Sequence, residues 1–208
     1  MNIPDTEKKI KQRISSYKSA MNKEKKQRHF ISDGAGKRYV LFCLYYLLND
    51  DEKAEDYISW YEAEFPDDCG EPNQYLCWAL MLHRMGKAEK AKVILANLLL
   101  TNLYFIPRLL GEDVEEYDIW HSSSDGRIDC FDYLPEEILS KITTDEKIWI
   151  QTLYESFDFR RIRKRYIEIF NSLNHIKNPD ERGVLLKESY QLLGTLSNVV
   201  PHQEPNIE

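Results

Sequence analysis

Residues 38–101 read RYVLFCLYYLLNDDEKAEDYISWYEAEFPDDCGEPNQYLCWALMLHRMGKAEKAKVILANLLLT, and within them one phrase occurs twice. Glu52-Lys53-Ala54-Glu55 returns as Glu89-Lys90-Ala91-Lys92, 37 residues later. Each copy follows an apolar run, Tyr39–Leu48 and then Tyr75–Met85, and opens a second amphipathic run. A repeated helix pair predicts an all-α stack, because one pair cannot bury its own apolar face and must lean on a neighbour. Tyr39–Leu48 is apolar on every side, as a helix enclosed by neighbours must be. Asp50-Asp51 supplies the cap of the next helix, whose inward set is Ala54, Tyr57, Ile58, Tyr61 and Phe65, with Pro66 as a stop. Pro72 suits a first turn and Gly86 a C-terminus. In the fourth helix Ala88, Ala91, Ile94 or Leu95, and Leu98 face inward.

These residues resemble the tetratricopeptide repeat (TPR), a helix–turn–helix unit. The second copy carries the likeness through Ala79, Leu82, Gly86, Ala91, Leu95 and Leu98; the first through Tyr45, Ala54, Ile58 and Pro66. Phe42 and Asn49 stand where the family has small residues, Leu103 replaces a closing proline, and the period is stretched. The resemblance, which extends to bacterial TPR-like proteins, implies a right-handed stack of antiparallel helix pairs and a groove that binds protein. Carried over by position, it implies a groove face of Tyr39, Cys43, Tyr46 and Leu47 from the first copy and Asn73, Leu76, Leu80, His83 and Arg84 from the second. Tyr39, Tyr46, Asn73, His83 and Arg84 are the implied contact residues. Two repeats need caps, so the groove is either open to a partner or filled by another part of this chain.

Upstream, Ile10, Ile14, Tyr17 and Met21 form one narrow stripe on a charged helix, which predicts docking on the body or, if the stripe is exposed, a homodimer. Ser32-Asp33-Gly34-Ala35-Gly36 ends that helix. Gly36-Lys37 is no phosphate loop: position 31 is Ile and position 38 is Arg, where the pattern needs Gly and Ser or Thr.

Downstream, Leu103–Leu110 predicts a short or kinked helix ending at Gly111. Residues 112–134 then lose all periodicity and mix acid with large aromatics, the composition of a surface that receives Lys or Arg. Asp113, Glu116, Asp118, Trp120 and His121 are its candidate contacts. Short helices at Pro135–Lys141 and Asp145–Ser156 are expected next. A long helix capped by Asp158 runs to about His175, with Ile162, Tyr166, Ile169 and Leu173 inward and Arg160, Arg161, Arg163, Lys164 and Arg165 opposite, set to pair with the chain's own acidic segments. A last helix spans Pro179–Leu196 with Leu186, Tyr190, Leu193 and Leu196 inward. The chain thus divides into an N-terminal charged helix (1–31), helix pairs (36–111), the insert (112–134), C-terminal helices (135–197) and a frayed tail (198–208). Together they make one domain of about nine or ten helices.

Charge is segregated. Residues 1–38 hold eleven Lys and Arg against four Asp and Glu, while the other 170 residues carry −14. Asp50–Glu71 and Glu112–Glu137 account for −9 each. Acid in bulk repels nucleic-acid backbone and attracts basic partners. No run is long enough to span a membrane, and Met1–Lys11 lacks a signal-peptide core, so a cytoplasmic protein is expected. Cys43, Cys69, Cys77 and Cys130 show neither CxxC nor zinc-like spacing. Asp125, Asp129 and Asp132 miss the calcium-loop spacing. No catalytic set, metal or cofactor is therefore expected. The expected function is non-enzymatic capture of a basic protein partner, in the manner of a bacterial immunity protein that neutralises a toxin. A secretion chaperone or adaptor serving a secreted client is the alternative. The enzymatic alternative is a hydrolase using carboxylates of residues 113–132.

Overall fold

In the computed structural model, which describes residues 3–120 and 123–196, ten α-helices and three 3-10 turns follow one another, with no strand among the described residues. α1 is Glu7–Arg28, α2 Lys37–Leu48, α3 Asp51–Glu64, α4 Pro72–Arg84, α5 Ala88–Thr101 and α6 Phe105–Leu109. After two 3-10 turns, Ser124–Gly126 and Ile128–Tyr133, come α7 Glu136–Leu139, α8 Thr144–Tyr154, α9 Phe157–His175 and α10 Pro179–Gln191. A third 3-10 turn covers Leu193–Thr195.

The helix limits follow local chemistry. Thr6, Asp50, Thr143, Ser156 and Asn178 each accept a first-turn backbone N–H through the side chain, satisfying donors that have no partner inside the helix. α2 ends on Asn49 in the left-handed region (φ 52°), and Gly86 (φ 71°) turns the chain from α4 into α5. The cap of α9 is Ser156 and not Asp158, whose carboxylate pairs instead with Lys92 (3.3 Å) and Arg161 (3.6 Å).

α2 and α4 form the centre. α4 packs most extensively on α5 and on α2, α1 and α3 lie against α2, and α9 joins α5 to α8 and α10. The junction of α2, α3 and α4 is aromatic: Phe42 meets the edges of Tyr57 and Tyr61 at ring centroid distances of 5.1 and 4.9 Å, and Trp78 at 5.0 Å. Such pairs add about 1 kcal/mol each beyond the area they bury. One apolar cluster runs from Ile10, Ile14 and Met21 of α1 through α2, α4 and α5 to Ile150 of α8 and Ile162 and Ile169 of α9. The N-terminal stripe is therefore spent against the body of its own chain.

At the C-terminal end the register differs from the expected one. α10 stops at Gln191 before a 3-10 turn, and the buried positions are Ser189, Leu192 and Leu196, so the inward face runs one residue ahead of the expected Tyr190 and Leu193. Tyr190, expected inside, is 79% exposed.

Candidate functional site

Five candidate contact residues lie on or beside α2 and α4, and each has a partner within the chain. Tyr39 donates its hydroxyl to Asp68 (2.8 Å) and accepts from Arg38, which also holds Asp68 through two further bonds (2.6 and 3.1 Å). Tyr61 donates to the same carboxylate (2.9 Å). Burial pushes the Asp68 pKa up, but the bonds from Arg38, Tyr39 and Tyr61 outweigh it and leave it below the ordinary value.

Tyr46 is enclosed beneath the Arg84 guanidinium, 4.2 Å from its ring centre. Arg84 then donates to Glu146 at the start of α8 (2.7 Å) and to Asn49 at the end of α2 (2.9 Å). Burial lowers the Arg84 pKa, and the neighbouring Glu146 carboxylate reverses this and raises it. His83 stacks on Trp149 of α8 (4.2 Å, 13° between planes), and Asn73 donates to the Tyr133 carbonyl (3.5 Å). Residues 133–149 thus lie against the part of α2 and α4 that carries Tyr46, Asn73, His83 and Arg84, while Tyr39 is engaged by Arg38 and Asp68. Cys43 and Cys77 lie fully buried on the same two helices, where burial pushes the Cys77 thiol up.

The insert has a different character. Glu112, Asp113, Glu115, Glu116 and Asp118 are exposed on an extended strip with no helical hydrogen bonds. The strip is fastened from behind. Tyr117 N–H donates to the Tyr104 hydroxyl (2.9 Å), and the two rings stack. Trp120 N–H donates to the Phe170 carbonyl (3.0 Å), and Asn171 donates to the Asp118 carbonyl (2.8 Å). Trp120 lies half-buried, parallel to Phe170 and beneath Arg182. Among the described residues no cation pairs with Glu112, Asp113, Glu115 or Glu116. His121 lies outside the described residues, as does the tail expected from residue 198.

Glu112, Asp113, Asp129 and Asp132 share a cleft of about 260 Å³ with Arg108. Arg108 holds Asp132 (2.7 Å) and Arg127 holds Asp129 (2.7 Å), so two of the four carboxylates are engaged. Glu71, which burial and then Asp125 raise above the ordinary carboxylate range, lies outside that cleft at the start of α4. Among the described residues no three His, Cys, Asp or Glu side chains are grouped as metal ligands. No described helix is long and apolar enough to cross a membrane.

Sequence reasoning missed a third surface, an open groove of about 950 Å³ between α1 and the α2–α3 corner. Its signal in the sequence is the positive surplus of residues 1–38, beside the apolar stripe whose Ile14 reaches the edge of the groove. The α9 cations, by contrast, pair locally: Arg165 with Glu188 (2.6 Å) and Glu168 (3.1 Å), Arg161 with Asp158. Those partners belong to α9 and α10 and not to the two acidic segments.

Compared with known proteins, the chain matches no family model, no curated protein and no solved structure.

Proposed function

We propose that this chain is a non-enzymatic protein-binding module, built on a TPR-like stack of helix pairs, that captures a basic partner on the strip Glu112–Asp118. The observation that carries the reading is the combination of exposed, unpaired carboxylates with a backbone fixed by bonds from Tyr104, Phe170 and Asn171. Fixed acid costs little ordering entropy when a Lys or Arg arrives, and its field speeds encounter. Tyr117, 38% exposed next to the end of the strip, supplies an aromatic contact of the type that dominates binding energy. The inner face of α2 and α4 serves as scaffold in this reading, since residues 133–149 already fill it.

A toxin-neutralising immunity protein is the leading form of this role, and a chaperone or adaptor for a secreted client is the other. A toxin gene or a secretion operon beside the coding sequence would separate them.

The test is capture from host lysate with the wild-type chain and with Asp113→Asn/Glu115→Gln/Glu116→Gln, whose side chains carry no internal bonds. A basic protein retained by wild type and weakened about tenfold or more by the variant is the expected result. Equal retention by both chains would move binding off the strip, and an acidic partner would reverse the reading.

A further inference from the structure

We propose that the groove along α1 is a second docking surface, and that its occupant is an acidic amphipathic helix of another protein. Lys11, Lys18, Lys23 and Lys26 rise along one wall, Lys53 stands at the other, and the lining contains no Asp or Glu. Lys18, Lys23 and Lys26 enter no ion pair among the described residues; Lys11 pairs with Glu7 and Lys53 with Asp50, and Lys25, turned away from the groove, is tied to Glu64 of α3. At the floor Leu48 is partly exposed, above Ile14 and Tyr45, which are buried.

This combination selects one chemistry. From Lys11 to Lys26 the helix advances about 22 Å, four turns, with the four lysines at intervals of about 10.5, 7.5 and 4.5 Å, so a helix laid alongside meets cations along its whole length. Such a helix would set Glu or Asp against the lysines and its Leu or Ile stripe on the floor, the groove-docking mode of amphipathic helices. Nucleic acid fits less well. The wall holds Lys and no Arg, so it offers no bidentate forks to phosphate. Tyr45 is 4% exposed and presents no face for a base to stack on. The net charge of the remaining residues also opposes a long polyanion. The surface is separate from the acidic strip, which lies on α6 and α9, so either proposal can fail alone.

The test uses the full chain and a synthetic amphipathic peptide with Glu on its polar faces and Leu on one stripe, titrated by fluorescence anisotropy at about 0.15 M salt. Three further arms are its Lys-for-Glu counterpart, single-stranded oligothymidylate, and two charge-reversed proteins. Lys18→Glu/Lys23→Glu/Lys26→Glu alters exposed positions in a helix that Glu favours, so circular dichroism should match wild type. Lys90→Glu/Lys147→Glu/Lys177→Glu makes the same change in net charge elsewhere. Expected are binding of the acidic peptide, none of the basic one, loss of about tenfold or more in the groove variant and near-wild-type binding in the control. Absence of acidic-peptide binding, equal loss in both variants, or tighter binding of oligothymidylate than of the peptide would each overturn the proposal.

Discussion

Arg84 is held from three directions, by the face of Tyr46, by Asn49 and by Glu146, which is 3% exposed. Removing Glu146 leaves a guanidinium half-buried without its counter-charge and also strips the N–H of Thr143 of its acceptor (2.8 Å). Glu146→Ala is therefore expected to lose about 3 kcal/mol in urea unfolding. Replacing both partners together, Arg84→Met with Glu146→Leu, should recover most of that loss. A Glu146→Ala chain as stable as wild type would show that the pair is solvated and idle. The repeat resemblance named Arg84 as a contact residue, but its partner within the chain lies 62 residues away and nothing local points to it. Asn49 was readable in another way: standing between the apolar run and the capping Asp50-Asp51, it adopts φ 52°, which Asn tolerates better than most residues. Asp68 gives a pH signature. Its folded pKa lies below the unfolded value of about 4, so its bonds stabilise the fold above that pH and the contribution disappears as pH falls through the folded value. The urea midpoint of wild type should drop more steeply below about pH 4 than that of Asp68→Asn. Parallel curves would remove Asp68 as the cause. The thiols should separate by burial: Cys69 is exposed, Cys130 is half-buried with its pKa pushed up to about 11, and Cys43 and Cys77 are enclosed. A native chain treated with Ellman's reagent should release close to one equivalent quickly, from Cys69.

Among the elements, α1 shows how much a periodic pattern can decide. Its stripe was legible and docks as the spacing requires, with Ile10, Ile14 and Met21 buried and Tyr17 half-buried. The rest of the helix is polar, so its attachment depends on that stripe and on cross-links such as Lys25–Glu64. Met21→Asp puts a charge where the side chain is 2% exposed, and should free the C-terminal half of α1 without dissolving the α4–α5 pair. Hydrogen exchange would then quicken in residues 15–28 and stay slow in Leu76–Leu82. Equal acceleration in both would mean that α1 and α4 open as one unit. α9 and α10 mark the limit of the same kind of reading. Asp158 and Ser156 are both good caps, and only the pull of Lys92 and Arg161 on Asp158 favours Ser156. α10 buries little, so its period was weak: Ser189 and Leu192 turn inward at helical spacing, and Tyr190 between them faces out.

For the whole molecule, the question is whether residues 3–111 and the C-terminal part fold as one body. The sequence suggested one domain with the helix pairs at its centre. The contacts argue for mutual dependence: α4 meets α8 through Arg84–Glu146 and His83–Trp149, α5 meets α9 and pairs Lys92 with Asp158, and α7 packs on α2. One apolar cluster crosses all of these junctions, with Ile138 and Ile150 fully enclosed beside residues of α2 and α4. A face that was read as a groove is thereby interior surface, and exposing it would uncover Tyr46 and leave Arg84 without Glu146. The expected outcome is a single cooperative urea transition in which far-UV circular dichroism coincides with the fluorescence of single-tryptophan chains retaining Trp78 in α4 or Trp149 in α8. If Trp149 reports a transition at lower urea than Trp78, the C-terminal helices peel away first. The inner face of α2 and α4 would then open before the core is lost, and the site would have to be sought there again.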